Sequence, residues 1–272
     1  MFRRYCWLPD LPSDSDVAYV APGGSLPARV DLRGLAQAAF DQGTLGSSVA
    51  NALSCAYQMV LKKQGLSVFL PARLFLYYNQ RQLLQLPSKD YFKSLGSVKC
   101  MLHRRRSILK GEKADGDTGG TIRDGLVSLS TDGICPESLW NPGKWTDVPS
   151  AEAYVAASQH KVLGFERLPR DMEVIKACLA EGFPVVFGFA VCECFEGADM
   201  AARGVLNVPK LKEQVLGGHA GVLLTFDDTY QRCMVRNSFG RTWGMSGNFT
   251  IPYAYLMNSN LVDDFWMIRS VS

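Results

Sequence analysis

The sequence lacks any apolar run close to the roughly 20 residues that a membrane-spanning helix needs. The basic start at residues 1–4 is followed by Asp10, Pro12, Asp14 and Asp16, where a signal peptide would have its apolar core. We therefore expect no membrane span and no secretion signal. We therefore also expect a cytoplasmic location.

The sequence also lacks a strong excess of charge of either sign. Its net charge is +3 over 272 residues, and 20% charged with 47% hydrophobic residues is ordinary for a soluble globular protein. This charge is too weak to predict binding to nucleic acid or to an anionic membrane. The single dense basic run, at residues 104–106, is typical of a solvated loop.

The eight cysteines do not form a spaced framework, and a chain of this length does not need disulfides to fold. We interpret most of them as small buried apolar residues in a reducing compartment. Internal repeats and low-complexity tracts are also missing. No metal site or cofactor is predicted.

Helical periodicity dominates the first half of the chain. Residues 1–27 carry prolines and aromatics without that period, which predicts an extended arm packed on the surface. Apolar spacing predicts helices over residues 48–61, 71–81 and 122–129. The polar residues at about 84–117 are typical of a long surface insertion.

The second half is rich in predicted strands. One amphipathic helix is predicted over residues 171–181, and residues 183–191 form a continuous apolar run typical of a buried strand. Turn residues separate four further predicted strands, at residues 219–226, 232–237, 247–251 and 265–268. A helical front half and a β-rich back half predict an α+β fold with a ligand site in the cleft between two lobes.

Three polar residues stand at positions suited to nucleophilic catalysis. Ser48 ends the segment Asp-Gln-Gly-Thr-Leu-Gly-Ser-Ser (41–48) and begins the first predicted helix, where the helix dipole favours negative charge. His219 lies between glycines at the start of an apolar strand, and Asn237 lies at a strand end. Separately they are typical of an N-cap serine, a structural histidine and a turn asparagine. Together they suggest a nucleophile, a base and an orienting group.

With further motifs in the same order, these residues resemble the papain-like (C1 family) cysteine peptidases, and most closely their short bacterial and viral branch. The resemblance extends from Leu26 to Ile268, and Ser48 stands where the family has its nucleophilic cysteine. The supporting strings are at residues 73–79, 122–125, 135–140, 252–256 and 264–266.

The resemblance implies a papain-like two-lobe fold. Residues 28–134 would form the helical lobe and residues 135–272 a β-barrel-like lobe that carries His219 and Asn237. As a separate hypothesis, we predict that residues 1–27 form a leader arm that lies along or near the groove and limits access to it. The implied partner is a peptide or protein substrate of a monomeric enzyme.

The resemblance also implies a role for each site residue. His219 would be the general base and later the acid, and Asn237 would orient its imidazole. Gln42 would donate to the oxyanion together with the backbone N–H of Ser48. Outside this context, a glutamine beside a glycine is typical of a surface turn.

Further residues would bind the substrate or shield the site. Trp243 matches the aromatic residue that keeps water from the His–Asn contact, and Phe239 stands where the family usually has another tryptophan. Gly120 would pair with substrate backbone, although a helix-entry turn is its ordinary explanation. The full set of substrate-binding candidates is Gly119, Gly120, Thr121, Gly218 and Ala220.

The sequence departs from the family pattern in two respects. Leu45 and Asp117 stand where many secreted relatives have a disulfide pair, so that bridge is absent. Ser48 carries an alcohol, which the helix terminus and an imidazolium cannot ionise at neutral pH as they ionise a thiol. We expect hydrolysis to fall by several orders of magnitude and peptide binding to persist. Cys55 lies roughly 10 Å further along the same helix and cannot replace the nucleophile.

Three explanations of Ser48 remain open on sequence grounds. It is an engineered replacement that traps a cysteine peptidase, a natural feature of a peptide-binding pseudopeptidase, or the nucleophile of a weak Ser/His/Asn hydrolase related in chemistry to the silica-forming relatives of cathepsins. The retained supports Gln42, His219, Asn237 and Trp243 favour the first explanation.

Overall fold

The computed structural model of the chain describes residues 3–83, 116–210 and 212–272. The predicted polar insertion lies outside these ranges except for its last two residues, and the basic run at 104–106 lies wholly outside them. The described helices are α1 (Ser48–Lys63), α2 (Arg73–Leu83), α3 (Ile122–Thr131), α4 (Ala151–Ala157), α5 (Met172–Ala180), α6 (Ala198–Arg203) and α7 (Tyr253–Leu256). No helix in these ranges combines the length and apolar character that crossing a bilayer requires.

The long helices form where apolar periodicity predicts them. Helix α1 begins at Ser48 as expected, and the chain leaves it at Gly65, whose φ of 72° lies in the left-handed region. Helix α2 begins two residues later than predicted because Pro71 pairs with Pro136 in an isolated β-bridge. The short helices α4, α6 and α7 carry too few turns for a periodic signal, and the sequence did not indicate them.

In the described residues one antiparallel sheet is built mostly from the second half of the chain. Its strands are β1 (Arg29–Asp31), β2 (Val162–Leu168), β3 (Val185–Cys192), β4 (Val215–Asp227), β5 (Arg232–Arg236), β6 (Asn248–Pro252) and β7 (Val262–Val271). They are ordered β2-β7-β3-β4-β5-β6, and β1 pairs with β4. The α+β class is confirmed, but the lobe is not a closed barrel, because β2 and β6 are the two ends of this order.

Helix α1 lies against the face of the sheet and fixes the position of Ser48. All its residues from Ser48 to Leu61 are buried, as expected of a helix surrounded by protein. Its apolar residues share one hydrophobic cluster with Val222 on β4 and Trp266 on β7. A second cluster fills the other side of the sheet around Phe187, Phe189 and Phe265. The helix N-terminus and β4 are therefore held by one continuous core.

Candidate active site

Ser48 is the first residue of α1, and its side chain is fully buried. The N-cap position belongs to Ser47, so Ser48 does not serve as the helix cap. Within the described residues the Ser48 hydroxyl has no hydrogen-bond partner. Its backbone N–H, in the first turn, has no acceptor inside the helix. Both groups therefore stand at the positive end of the helix dipole without a partner in the helix itself.

Asn237 holds the imidazole of His219 in one orientation. Its Oδ1 lies 2.8 Å from His219 Nε2 and also accepts the backbone N–H of Ser238 at 2.8 Å. Because the Ser238 N–H needs an acceptor, the atom of the Asn237 amide that faces both Ser238 and His219 is the oxygen. An oxygen there accepts a hydrogen from Nε2, so Nε2 carries the proton when His219 is neutral. Its Nδ1 is then an unprotonated acceptor, and it has no partner among the described residues.

The pKa of His219 is lowered from 6.5 to about 4. Burial is the main cause, since it disfavours the imidazolium, and the positive charge of Arg3 acts in the same direction. The hydrogen bond to Asn237 opposes them and raises the pKa. His219 is therefore neutral at physiological pH in this arrangement.

Gln42 joins the nucleophile loop to the segment that carries Asn237. Its Nε2 donates to Leu45 O at 2.7 Å, and its Oε1 accepts the Ser238 hydroxyl at 2.5 Å. An amide nitrogen has two hydrogens, so one remains for a further acceptor. The residue is buried, which rules out the surface-turn explanation.

The predicted substrate-binding glycines lie on two walls of one groove. Gly218 is on β4, opposite Ala190 of β3, and Gly119 and Gly120 precede α3. Gly119 has a φ of 71°, which lets the chain turn toward the groove. Thr121 serves as the N-cap of α3, where its hydroxyl accepts the N–H of Asp124. Ala220 is buried below the groove in the same cluster as α1.

An aromatic shell surrounds His219, and the sequence identified only part of it. The ring centroid of Phe239 lies 4.9 Å from that of His219, and those of Phe189 and Phe195 lie at 5.4 and 6.1 Å. Trp243 packs on Phe239 and Phe195 instead, one ring further out. Phe189 was missed because a buried strand is apolar throughout and no pattern distinguishes one member.

The leader arm occupies the groove in this structure. Cys6 and Trp7 form isolated parallel bridges with Gly218 and Gly120. The Trp7 N–H donates to Gly218 O at 2.7 Å, and the Leu8 N–H donates to Gly120 O at 3.2 Å. Tyr5 meets His219 edge to face, with ring centroids 5.8 Å apart.

Two buried or half-buried carboxylates anchor the leader beyond the groove. Asp10 is 5% exposed and accepts the N–H of Arg123 at 3.0 Å and the indole N–H of Trp266 at 2.8 Å. Asp16 accepts from Arg123 at 2.5 and 2.7 Å and from Arg167 at 2.9 Å. Contacts of this kind fix the leader through side chains as well as backbone.

Comparison with known proteins gives two similar chains at appreciable identity. An uncharacterised peptidase C1-like protein of Acanthamoeba polyphaga mimivirus is 36% identical over 244 residues, which cover 86% of this chain and 70% of that protein. The crystal structure of xylellain, a cysteine protease from Xylella fastidiosa, superposes with a TM-score of 0.83 at 31% identity and covers both chains completely.

A more distant similarity shows the fold alone. Procathepsin B of Trypanosoma congolense has a TM-score of 0.66 at 14% identity, over 98% of this chain and 87% of that one. No protein-family model matches the sequence.

Proposed function

Because this chain belongs to the papain-like (C1) cysteine peptidase family, we propose that its groove binds extended peptides, with Ser48 in the place of the nucleophile. His219 acts as the base through Nδ1, and Asn237 orients it. The free N–H of Gln42 and the backbone N–H of Ser48 stabilise the oxyanion. The observation that carries this proposal is the arrangement of His219 and Asn237, which leaves Nδ1 free to accept a proton.

The serine makes this chain an impaired member of the family. A cysteine at position 48 would form a thiolate–imidazolium pair, which raises the histidine pKa and lowers the thiol pKa. A serine alcohol stays protonated, and burial under the leader lowers the pKa of His219, so the imidazole is a weak base there at neutral pH. Peptide binding does not require the thiolate and is retained. We infer that Ser48 replaces a cysteine in an otherwise functional peptidase and traps it before hydrolysis.

The leader limits access to the groove. It uses the carbonyl oxygens of Gly218 and Gly120, which an extended peptide needs for its own backbone N–H groups. Tyr5 covers the His219 ring at the same time. A substrate must therefore displace residues 5–8 before it reaches Ser48.

The test compares four full-length chains on fluorogenic peptides: the Ser48 chain, Ser48→Cys, Ser48→Cys with His219→Ala, and His219→Ala alone. We expect hydrolysis in Ser48→Cys, inactivation of that variant by a thiol-directed epoxide, and loss of hydrolysis when His219 is removed. The Ser48 chain should hydrolyse the same peptides several orders of magnitude more slowly than Ser48→Cys does.

The other outcomes identify the alternatives. Peptide binding without hydrolysis in any chain, including Ser48→Cys, is the result for a pseudopeptidase. Hydrolysis by the Ser48 chain that matches Ser48→Cys and disappears in His219→Ala is the result for a Ser/His/Asn hydrolase. Either result rejects the trapped-peptidase proposal.

A further inference from the structure

The amide nitrogen of Asn237 is a buried donor without a hydrogen-bond partner. Asn237 is 2% exposed, and its Nδ2 has no acceptor within the described part of the chain. The oxygen of the same amide is fully engaged, since Oδ1 bonds to His219 Nε2 and to the backbone N–H of Ser238, at 2.8 Å each. A buried donor without an acceptor is costly, so Nδ2 needs a partner that the protein itself does not supply.

A small cavity lies beside Asn237, between helix α1 and the sheet. Its walls include Cys55 on α1, Ala220 on β4 and Arg236 at the end of β5. It gives about 10 Å³ of space to the centre of a water molecule, which is close to the smallest volume that holds one water. One water molecule therefore fits beside Asn237, and an organic ligand does not.

The polar side chains in the cavity wall are held by hydrogen bonds of their own. Asn51 on α1 accepts from Arg73 at 3.0 Å. Arg236 donates to Asn248 Oδ1 at 2.8 Å and to the carbonyl oxygen of Gln37 at 2.7 Å. Because a shift of either side chain would break these bonds, the wall does not close onto the Asn237 amide.

The thiol of Cys55 gives the cavity a second polar group. Burial raises the pKa of this thiol to about 11, so it keeps its hydrogen at physiological pH. A protonated thiol both donates and accepts weak hydrogen bonds, so it can hold a water that already accepts from Asn237. The described lining residues include no carboxylate, and Arg236 is positively charged, so a metal cation does not fit there.

We propose that one buried water occupies this cavity and accepts a hydrogen bond from Asn237 Nδ2, and that Cys55 is a positioning residue that holds this water. The water fixes the Asn237 amide from the side opposite His219, so that Oδ1 stays on the histidine. This proposal rests on the proposed function, since it concerns how the group that orients His219 is itself held in place.

The direct test of the water is a high-resolution crystal structure of the full-length chain with Ser48 kept. We expect one density peak in the cavity at about 2.7–3.2 Å from Asn237 Nδ2. The lack of a peak there overturns the proposal. An anomalous peak at that place in crystals grown with bromide identifies a halide site, and this result overturns it as well.

Two substitutions of Cys55 test its positioning role. Cys55→Ser keeps a group that bonds to water, whereas Cys55→Val fills the space with methyl groups and offers neither donor nor acceptor. The readout is the rate at which His219 Nε2–H exchanges with solvent, measured by NMR in full-length chains that keep Ser48. We expect this exchange to be about threefold or more faster in Cys55→Val, because Asn237 is held less firmly, and close to the original rate in Cys55→Ser.

Cys178→Val is the matched control. Cys178 is also a buried cysteine in a helix, but it belongs to α5 and to the hydrophobic cluster on the other side of the sheet. The same substitution there should leave the His219 exchange rate unchanged. Equal exchange rates in Cys55→Val and Cys178→Val reject the positioning role, and so does an exchange in Cys55→Ser that is as fast as in Cys55→Val.

These outcomes are separable from those of the proposed function, because crystallography and NMR do not require hydrolysis. A water on Asn237 in a chain whose Ser48→Cys form is inactive supports this inference and rejects the peptidase mechanism. In an active Ser48→Cys form, we expect added Cys55→Val to lower kcat about threefold or more with little change in KM. An unchanged kcat rejects the positioning role of Cys55 and leaves the peptidase.

Discussion

The carboxylate of Asp117 accepts the backbone N–H of Gly46 at 2.8 Å, two residues before the nucleophile position. Its other oxygen accepts the hydroxyl of Tyr77, which in turn accepts the N–H of Gly119 at 3.2 Å. One buried carboxylate thus joins the nucleophile loop, helix α2 and the groove wall. It stands where the family resemblance places one half of a disulfide, so a polar clamp takes the place of a covalent one.

Removal of this clamp should destabilise the chain strongly. Asp117→Ala leaves the N–H of Gly46 and the hydroxyl of Tyr77 buried without their acceptor, which costs about 2–4 kcal/mol of unfolding free energy. Asp117→Asn keeps an acceptor and should cost less than half as much. Denaturant unfolding measures both, with the exposed Asp147→Ala as control. Equal, small effects of the two Asp117 variants would show that the clamp does not contribute.

We expect the free energy of unfolding to fall in mild acid because of His219. Its pKa is about 4 in the folded chain, against an ordinary value of 6.5, because burial disfavours the imidazolium. The unfolded chain therefore binds more protons between these two values. Stability is full above pH 6.5 and is lost as the pH falls toward 4, by up to about 3 kcal/mol.

The measurement for this second prediction is the unfolding free energy across the same pH range, in the chain itself and in His219→Gln. The carboxylates titrate in both proteins, so the difference between the two curves isolates the histidine. We expect the original chain to lose more stability than His219→Gln as the pH falls. Parallel curves would mean that the imidazole is not held neutral by burial.

We expect Asp16 to hold the leader in the groove through its hydrogen bonds from Arg123 and Arg167. Burial alone would raise the pKa of Asp16, but hydrogen bonds from Arg123 and Arg167 outweigh it and hold that pKa below its usual value. The anchor is therefore present at neutral pH and is lost only as the pH falls through that lowered pKa. Asp16→Asn removes the charge while it keeps the shape.

The third prediction is tested by hydrogen exchange at the N–H groups of Trp7 and Leu8, which does not require the chain to hydrolyse peptides. Protection should fall by about 3- to 30-fold in Asp16→Asn, because a part-buried carboxylate that pairs with two arginines is lost. The nearby exposed Asp14→Asn is the matched control and should change nothing. Unchanged protection in Asp16→Asn would show that the groove contacts alone hold the leader.

Much of the fold follows from patterns within a few residues. The spacing of Val49, Leu53, Ala56 and Val60 predicts α1. The strand predicted to start at His219 is longer in the structure, because β4 already begins at Val215 and the glycines around His219 lie within it. Strand β2 was not predicted, because it is an edge strand with mixed exposure and no clear alternation. Whether the sheet closes also depends on pairing between distant strands, and no local pattern reports it.

The candidate site shows the same division. The order of motifs suggested Ser48, His219 and Asn237, and the structure brings the last two into contact. The fit of Trp7 against Gly188 joins residues 181 positions apart, and neither residue is unusual in its local segment. Such contacts arise from tertiary packing, so they become visible only when the strands are placed side by side.

We propose that His219 and the N-terminus of α1 together activate a nucleophile at position 48. The most direct test is the thiol pKa in full-length Ser48→Cys, measured from the pH dependence of alkylation by iodoacetamide with mass spectrometry to locate the label. Cys55 serves as an internal reference, because burial raises the pKa of its thiol to about 11. We predict a pKa below about 7.5 for the new thiol, which rises by at least about one unit when His219→Ala is added. A pKa near the free-cysteine value of about 8.5, unchanged by His219→Ala, would show that His219 and the helix terminus do not activate position 48.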